Sequence, residues 1–220
     1  MNHLIVHSSE AVTLVGGGPV SAPALARALA FAPRIVAADG GADRLLRLGQ
    51  RPEAVIGDMD SISPAAQAAL AGRLFPIPEQ ASTDFDKALR SIAAPFVLGL
   101  GFSGARLDHG LAVLNALVRH PDRRCLILGA HDVTFLSPVE LTLALPPGSR
   151  LSLFPMGAVT GESAGLRWPL QGHAFGPDAM IGTSNEVAAP KVQLRFSAPK
   201  MLVILPRAAL AAALSGLGLR

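Results

Sequence analysis

The acidic residues of this chain are placed where chemistry could use them. Asp39 follows the apolar run Arg34–Ala38, and Asp58 and Asp60 follow Ala54–Ile56 in Gly57-Asp58-Met59-Asp60. Asp84 and Asp86 lie in Ser82-Thr83-Asp84-Phe85-Asp86-Lys87, and Arg106 and Asp108 come after Phe96–Leu100. Loops that leave the strands of an open α/β sheet gather at one edge, where ligands bind. Four such loops, each with a carboxylate, would concentrate negative charge there, and the charge persists only if a cation or several donors compensate it. Magnesium suits such a set, because it takes oxygen ligands and commonly shares them between one or two carboxylates and substrate phosphates. Asp58-x-Asp60 is expected to place both side chains on one side of an extended segment.

Each feature also has a plain structural reading. Aspartates cap helices and close turns, so Asp84 could cap the helix that follows it. Gly40-Gly41 could only make a turn, Arg106 and Asp108 only a surface ion pair, His109 only a structural hydrogen bond, and Trp168 only core. Read jointly, the recurrence of carboxylates at one topological position favours a site.

The elements that must position them alternate. Strands are expected at Val12–Val15, Arg34–Ala38, Ala54–Ile56, Phe96–Leu100 and Cys125–Gly129, and helices at Pro23–Phe31, Asp43–Leu48, Pro64–Leu74, Asp84–Ile92 and His109–Arg119. This order implies an α/β fold, with a mostly parallel sheet covered by helices over residues 1–136. From about Ser137 the texture becomes short strands and turns: Glu140–Leu145, Arg150–Phe154, Leu166–Leu170, Val192–Phe196 and Met201–Leu205. Residues 137–220 therefore read as a small all-β sandwich domain. The stretch Ala208–Leu219 reads as a terminal helix or a frayed tail.

Composition narrows the function classes. The chain has 220 residues, half of them hydrophobic, enough for a substantial core. No apolar run reaches the ~18–20 residues of a membrane-spanning helix. The net charge of +3 comes with scattered arginines, 5% aromatics and no tyrosine, which argues against a nucleic-acid groove. The first residues lack the pattern of an export signal, and the single cysteine, Cys125, agrees with a reducing compartment. Both point to the cytoplasm.

Taken in order, Asp39-Gly40-Gly41-Ala42, Gly57-Asp58-Met59-Asp60-Ser61-Ile62, Ser82-Thr83-Asp84-Phe85-Asp86-Lys87-Ala88-Leu89 and Gly101 to His109 resemble the motifs of the thiamine pyrophosphokinase family. Gly165-Leu166-Arg167-Trp168-Pro169-Leu170 and Thr183-Ser184-Asn185-Glu186 resemble the two motifs of its C-terminal domain. The resemblance implies Mg²⁺-dependent transfer of pyrophosphate from ATP, as co-substrate, to thiamine. It also implies a homodimer with active sites between subunits. It assigns Asp58, Asp60 and Asp84 to the metal and, with Arg106 and Asp108, to catalysis. Asp39, Gly40, Gly41, Arg106, Asp108 and His109 would bind ATP, and Asp84, Trp168, Ser184 and Asn185 would bind thiamine. The chain departs from the family pattern at Ala105, often glycine, and at Ala81, often an acid.

Three other readings compete. Gly16-x-Gly18 with Asp39 partly mimics a dinucleotide fingerprint, but Ser21 stands at the third glycine position. The Asp58–Ile62 segment also looks like a phosphatase nucleophile motif or the Asp-x-Asp of nucleotide-sugar transferases. A non-catalytic nucleotide- or thiamine-binding module would bind ligand without forming AMP.

Overall fold

The computed structural model describes residues 4–219. Met1 to His3, the start of the segment read for an export signal, lie outside the described residues. The chain divides into two compact units, residues 1–116 with 122–129, and residues 117–121 with 130–220.

The first unit alternates strand and helix: β1 (Val6–His7), β2 (Val12–Val15), α1 (Ala22–Leu29), β3 (Arg34–Ala38), α2 (Gly41–Arg47), β4 (Ala54–Gly57), α3 (Pro64–Ala69), β5 (Leu74–Pro76), α4 (Asp84–Arg90), β6 (Ile92–Ala93), β7 (Val97–Leu100), α5 (Leu107–Arg119) and β8 (Cys125–Leu128). Strands run in the order β8-β7-β2-β3-β4-β5, and every pairing among them is parallel. Strands β2, β4 and β7 are buried at every residue, as a sheet covered on both faces requires. Val15, Leu25, Ile35, Leu45, Val55 and Ile62 share one core cluster.

Helix starts follow their capping chemistry. The hydroxyls of Ser21 and Ser63 accept the backbone N–H groups of Ala24 and Ala66, with a proline in the first turn of each helix. Helix α3 ends at Ala69 rather than running to Leu74: Gly72 takes φ 83°, and Leu74–Pro76 instead joins the sheet edge beside β4. Likewise α4 stops at Arg90, and Ile92–Ala93 pairs with β1.

The second unit is antiparallel: β9 (Asp132–Leu136), β10 (Glu140–Ala144), β11 (Arg150–Pro155), β12 (Val159–Ala164), β13 (His173–Phe175), β14 (Gly182–Glu186), β15 (Lys191–Phe196) and β16 (Met201–Pro206). These form the sets β14-β11-β16-β9 and β10-β15-β12-β13. Alternating buried side chains, such as Leu141 and Leu143 or Val192, Leu194 and Phe196, supply its core. This unit begins earlier than the change of sequence texture suggested, because Asp132–Leu136 pairs with β16. The strand expected at Leu166–Leu170 does not form. Gly165 turns the chain at φ 83°, and only Leu166 bridges, to Val187. The tail is a short 3₁₀ turn followed by α6 (Leu210–Gly216), with Leu210, Ala213 and Leu214 buried. Among the described residues no helix is long and apolar enough to cross a membrane.

Candidate functional site

The site begins where β3 ends. Asp39 is buried, with a left-handed backbone (φ 38°), and its carboxylate accepts two backbone N–H groups from the loop after β4, those of Ser61 and Ile62, each at 3.0 Å. One strand exit is thereby clamped to the next. The approach is close enough that a Cβ on Gly57 would lie 2.8 Å from Asp39 Cβ and 3.0 Å from Asp84 Oδ1, so only glycine fits there.

The loop carrying Asp58 and Asp60 is not extended, contrary to the expectation from spacing. Met59 takes φ 68°, a region a non-glycine residue enters only when held there, and its side chain packs against the core cluster. The turn still brings the carboxylates together: one oxygen each of Asp39, Asp58 and Asp60 lie within 4.8 Å of one another.

Helix α4 supplies the next group. Thr83, not Asp84, caps it, its hydroxyl accepting the N–H of Asp86. Asp84 is thus released to accept the N–H of Asp58 at 3.3 Å. One turn on, the Lys87 ammonium donates to Asp58 Oδ2 at 2.9 Å and to Asp84 Oδ1 at 3.1 Å. Its side chain is only 1% exposed, against 13% for Asp58 and 29% for Asp84. Burial pulls the Lys87 pKa down, but the hydrogen bonds and charges of both aspartates outweigh it and hold the ammonium above the ordinary lysine value. The Lys87 hydrogen bond holds Asp58 below the usual carboxylate range, against the opposing effect of burial. Asp39 moves the other way. Burial, together with the charges of Asp84 and Asp60, pushes its pKa up to about 6 despite the Ser61 N–H.

These residues fit a divalent ion. The donor set is all carboxylate, as magnesium prefers. Asp58 Oδ1 is buried without a hydrogen-bond partner, and a bound cation would relieve the charge crowding around Asp39. The structure groups Asp39 with Asp58 and Asp60, whereas Asp84 joins through Lys87. At the position of Ala81 no carboxylate is presented. Nearby Glu79 is taken up by Ser82, the Ala81 N–H and Arg90, and Gln80 instead reaches Asp58 Oδ2 at 3.3 Å.

A cleft of about 310 Å³ opens beside this centre, lined by Gly16 to Gly18, Asp39, Gly40, Asp84, Arg106 and His109, among others. Gly41 lies behind Gly40, where a Cβ would sit 2.0 Å from the Val15 carbonyl oxygen. Ser21, at the third position of the partial dinucleotide fingerprint, is the α1 cap. Arg106 and Asp108 form a bidentate pair, with Nε to Oδ1 at 3.2 Å and Nη2 to Oδ2 at 2.6 Å. Both are largely exposed, so the pair holds its geometry weakly and the guanidinium can be turned to an anion. Asp108 does not itself line the cleft. The left-handed residues of this loop are Gly101 at φ 73° and Gly104 at φ 82°, so Ala105 meets no backbone conflict.

In the second unit a pocket of about 400 Å³ is lined by Trp168, Phe175, Met180, Ile181 and Asn185, among others. Trp168 is 54% exposed. The Asn185 amide accepts the Trp168 N–H at 3.3 Å and donates to the Trp168 carbonyl at 2.7 Å, so it fixes where the indole is presented. The Arg167 guanidinium lies 5.0 Å from the indole centroid. Ser184, left-handed at φ 62°, is exposed and does not line this pocket.

Sequence reasoning missed Lys87, Gln80 and the clamp made by Asp39. A signal for Lys87 was present, since the chain has only three lysines and this one falls three residues after Asp84, on the same side of α4. The other two depend on loop geometry that carries no sequence period.

Two family models match the chain: thiamin pyrophosphokinase, catalytic domain, over residues 25–128, and thiamin pyrophosphokinase, vitamin B1 binding domain, over residues 139–201. Thiamine pyrophosphokinase 2 from Oryza sativa is 29% identical, covering 91% of this chain and 94% of that protein. Thiamin pyrophosphokinase from Candida albicans superposes with a TM-score of 0.77 at 16% identity, covering 94% and 97% of the two chains. A protein from Lactobacillus plantarum superposes with a TM-score of 0.74 at 26% identity, covering 90% and 98%.

Proposed function

The chain belongs to the thiamin pyrophosphokinase family, and on that premise we propose that it transfers the pyrophosphoryl group of ATP to thiamine. The thiamine hydroxyl oxygen forms a bond to the β-phosphorus, the bond from that phosphorus to the α,β-bridging oxygen breaks, and AMP leaves with those electrons. The products are thiamine diphosphate and AMP. The observation that carries this reading is the convergence of the Asp39, Asp58 and Asp60 carboxylates, with one Asp58 oxygen unpartnered, beside a glycine-walled cleft.

When bound, Mg²⁺ would neutralise charge on the phosphates as the transfer proceeds. Asp58 and Asp60 hold it, with Asp39 as the third carboxylate. Asp84, at the cleft wall, orients the attacking hydroxyl and accepts its proton. Gly16 to Gly18 and Gly40 let the nucleotide approach the backbone, while Arg106 exchanges Asp108 for phosphate oxygens and His109 adds a contact at the cleft rim. Trp168 stacks on the planar cationic substrate, an arrangement that favours positive charge over the indole face. Asn185 sets the position of that indole.

Met180 and Ile181 are exposed with Trp168. Such an apolar patch supports a homodimer that covers it and completes each site from two subunits. The reducing cytoplasm suits a chain whose one thiol, Cys125, is buried with its pKa pushed up. The phosphatase and sugar-transferase readings use the Asp58–Asp60 loop but leave the Trp168 pocket without a task. The test is incubation with thiamine, ATP and Mg²⁺. Equimolar AMP and thiamine diphosphate are expected, and ADP or inorganic phosphate as the main product would refute the reading.

A further inference from the structure

A buried ion pair is weak evidence of stabilisation, because apolar side chains of similar volume often serve as well. Lys87 is therefore a residue whose charge needs a reason. Its side chain is almost wholly buried, on a short helix whose Phe85, Asp86, Ala88 and Leu89 are buried as well. Its ammonium bridges Asp58, in the loop after β4, and Asp84, one turn back on its own helix, and the Asp58 N–H closes the triangle on Asp84. Lys87 occupies one oxygen of Asp58 and leaves the other buried and unpartnered.

Resting on the reading above, we infer that Lys87 is the positioning residue of the acidic centre: it sets the spacing of Asp58 and Asp84 and limits the centre's charge, so that one divalent ion enters in one place. Four carboxylates, those of Asp39, Asp58, Asp60 and Asp84, surround the centre, and Lys87 offsets one of them. Removing the ammonium should make the centre a stronger but worse-ordered cation trap. A residue of purely structural value would behave otherwise, since its loss would weaken cation binding and folding together.

The test is Mn²⁺ titration of the full-length protein without nucleotide or thiamine, read by the electron paramagnetic resonance of free Mn²⁺, alongside steady-state kinetics. Lys87→Met should bind Mn²⁺ about tenfold more tightly, the effect of a unit charge a few ångströms away. Its kcat should fall about 100-fold as the carboxylates lose their spacing, with KM for ATP nearly unchanged. The double variant Lys87→Met with Asp84→Asn restores the charge balance and should return Mn²⁺ affinity to within about twofold of the parent, whether or not the single variant folds. Unchanged or weaker Mn²⁺ binding in folded Lys87→Met, or a double variant far from parental affinity, would overturn the inference. Because the titration needs no turnover, a parent protein that makes no thiamine diphosphate would defeat the functional reading separately.

Discussion

Replacing Asp39 with asparagine, in metal-free protein, should remove one limb of the pH–stability profile. The folded chain holds this carboxyl at about 6 against an ordinary 3.8, chiefly because it is buried and faces Asp84 and Asp60. The folded state therefore takes up the proton first as pH falls. From this group the wild type gains stability as pH drops through about 6 toward 3.8, and loses that stability as pH rises back through about 6. The difference between those two values corresponds to about 3 kcal/mol. Asp58 and Asp43 are held below the usual range and push stability the opposite way with pH, but they do so in both proteins and cancel in the comparison. Asparagine offers one acceptor oxygen where Asp39 accepts two N–H groups. That loss, about 1–3 kcal/mol, shifts the level of the difference without changing its slope. Urea denaturation in EDTA from about pH 4 to pH 8, followed by circular dichroism, should show the wild-type advantage growing by about 2 kcal/mol toward the acid end, most of the full difference. Saturating Mg²⁺ should shrink that growth, because a bound cation keeps Asp39 ionised. Parallel stability curves for the two proteins across the range would refute the reasoning.

Other perturbations test separate parts of the site. Asp60→Asn should lower kcat by about 100-fold or more through loss of charge stabilisation, with an unchanged melting temperature because Asp60 is exposed; near-normal turnover would remove Asp60 from the chemistry. Gly57→Ala places a Cβ 2.8 Å from Asp39 Cβ and should cost about 1–3 kcal/mol in denaturation experiments, with activity falling as the acids are pushed apart. Trp168→Ala should raise KM for thiamine about tenfold, the scale of a desolvated cation–π contact, and leave KM for ATP alone; equal loss for both substrates would indicate a folding role.

The strands and helices that carry the acids were legible because each is a short apolar run or an amphipathic stretch ending at a turn residue. Val12–Val15 and Arg34–Ala38 form with the expected bounds. The antiparallel half was harder to read. Gly182–Glu186 and Val159–Ala164 are rich in small and polar residues and bury few side chains, so neither shows the alternation that marks a strand. Leu166–Leu170 has the apolar composition of a strand but follows a left-handed glycine. At the site, residue types were visible while contacts were not. Asp39 and Ser61 are 22 positions apart, and Asp58 and Lys87 are 29 apart. Nothing local in the sequence encodes such pairs; they follow from parallel strands delivering their loops to the same edge.

The central claim is that carboxylates from separate crossover loops share one divalent ion next to the nucleotide. It is tested most directly by crystals of the protein grown with Mn²⁺ and a non-hydrolysable ATP analogue, measured for anomalous scattering. The account predicts one manganese peak in contact with both Asp58 and Asp60 and with an oxygen of the analogue's phosphate chain. A map with no peak among these acids, or with manganese bound away from the Asp39–Asp58–Asp60 group while the analogue fills the cleft, would contradict it.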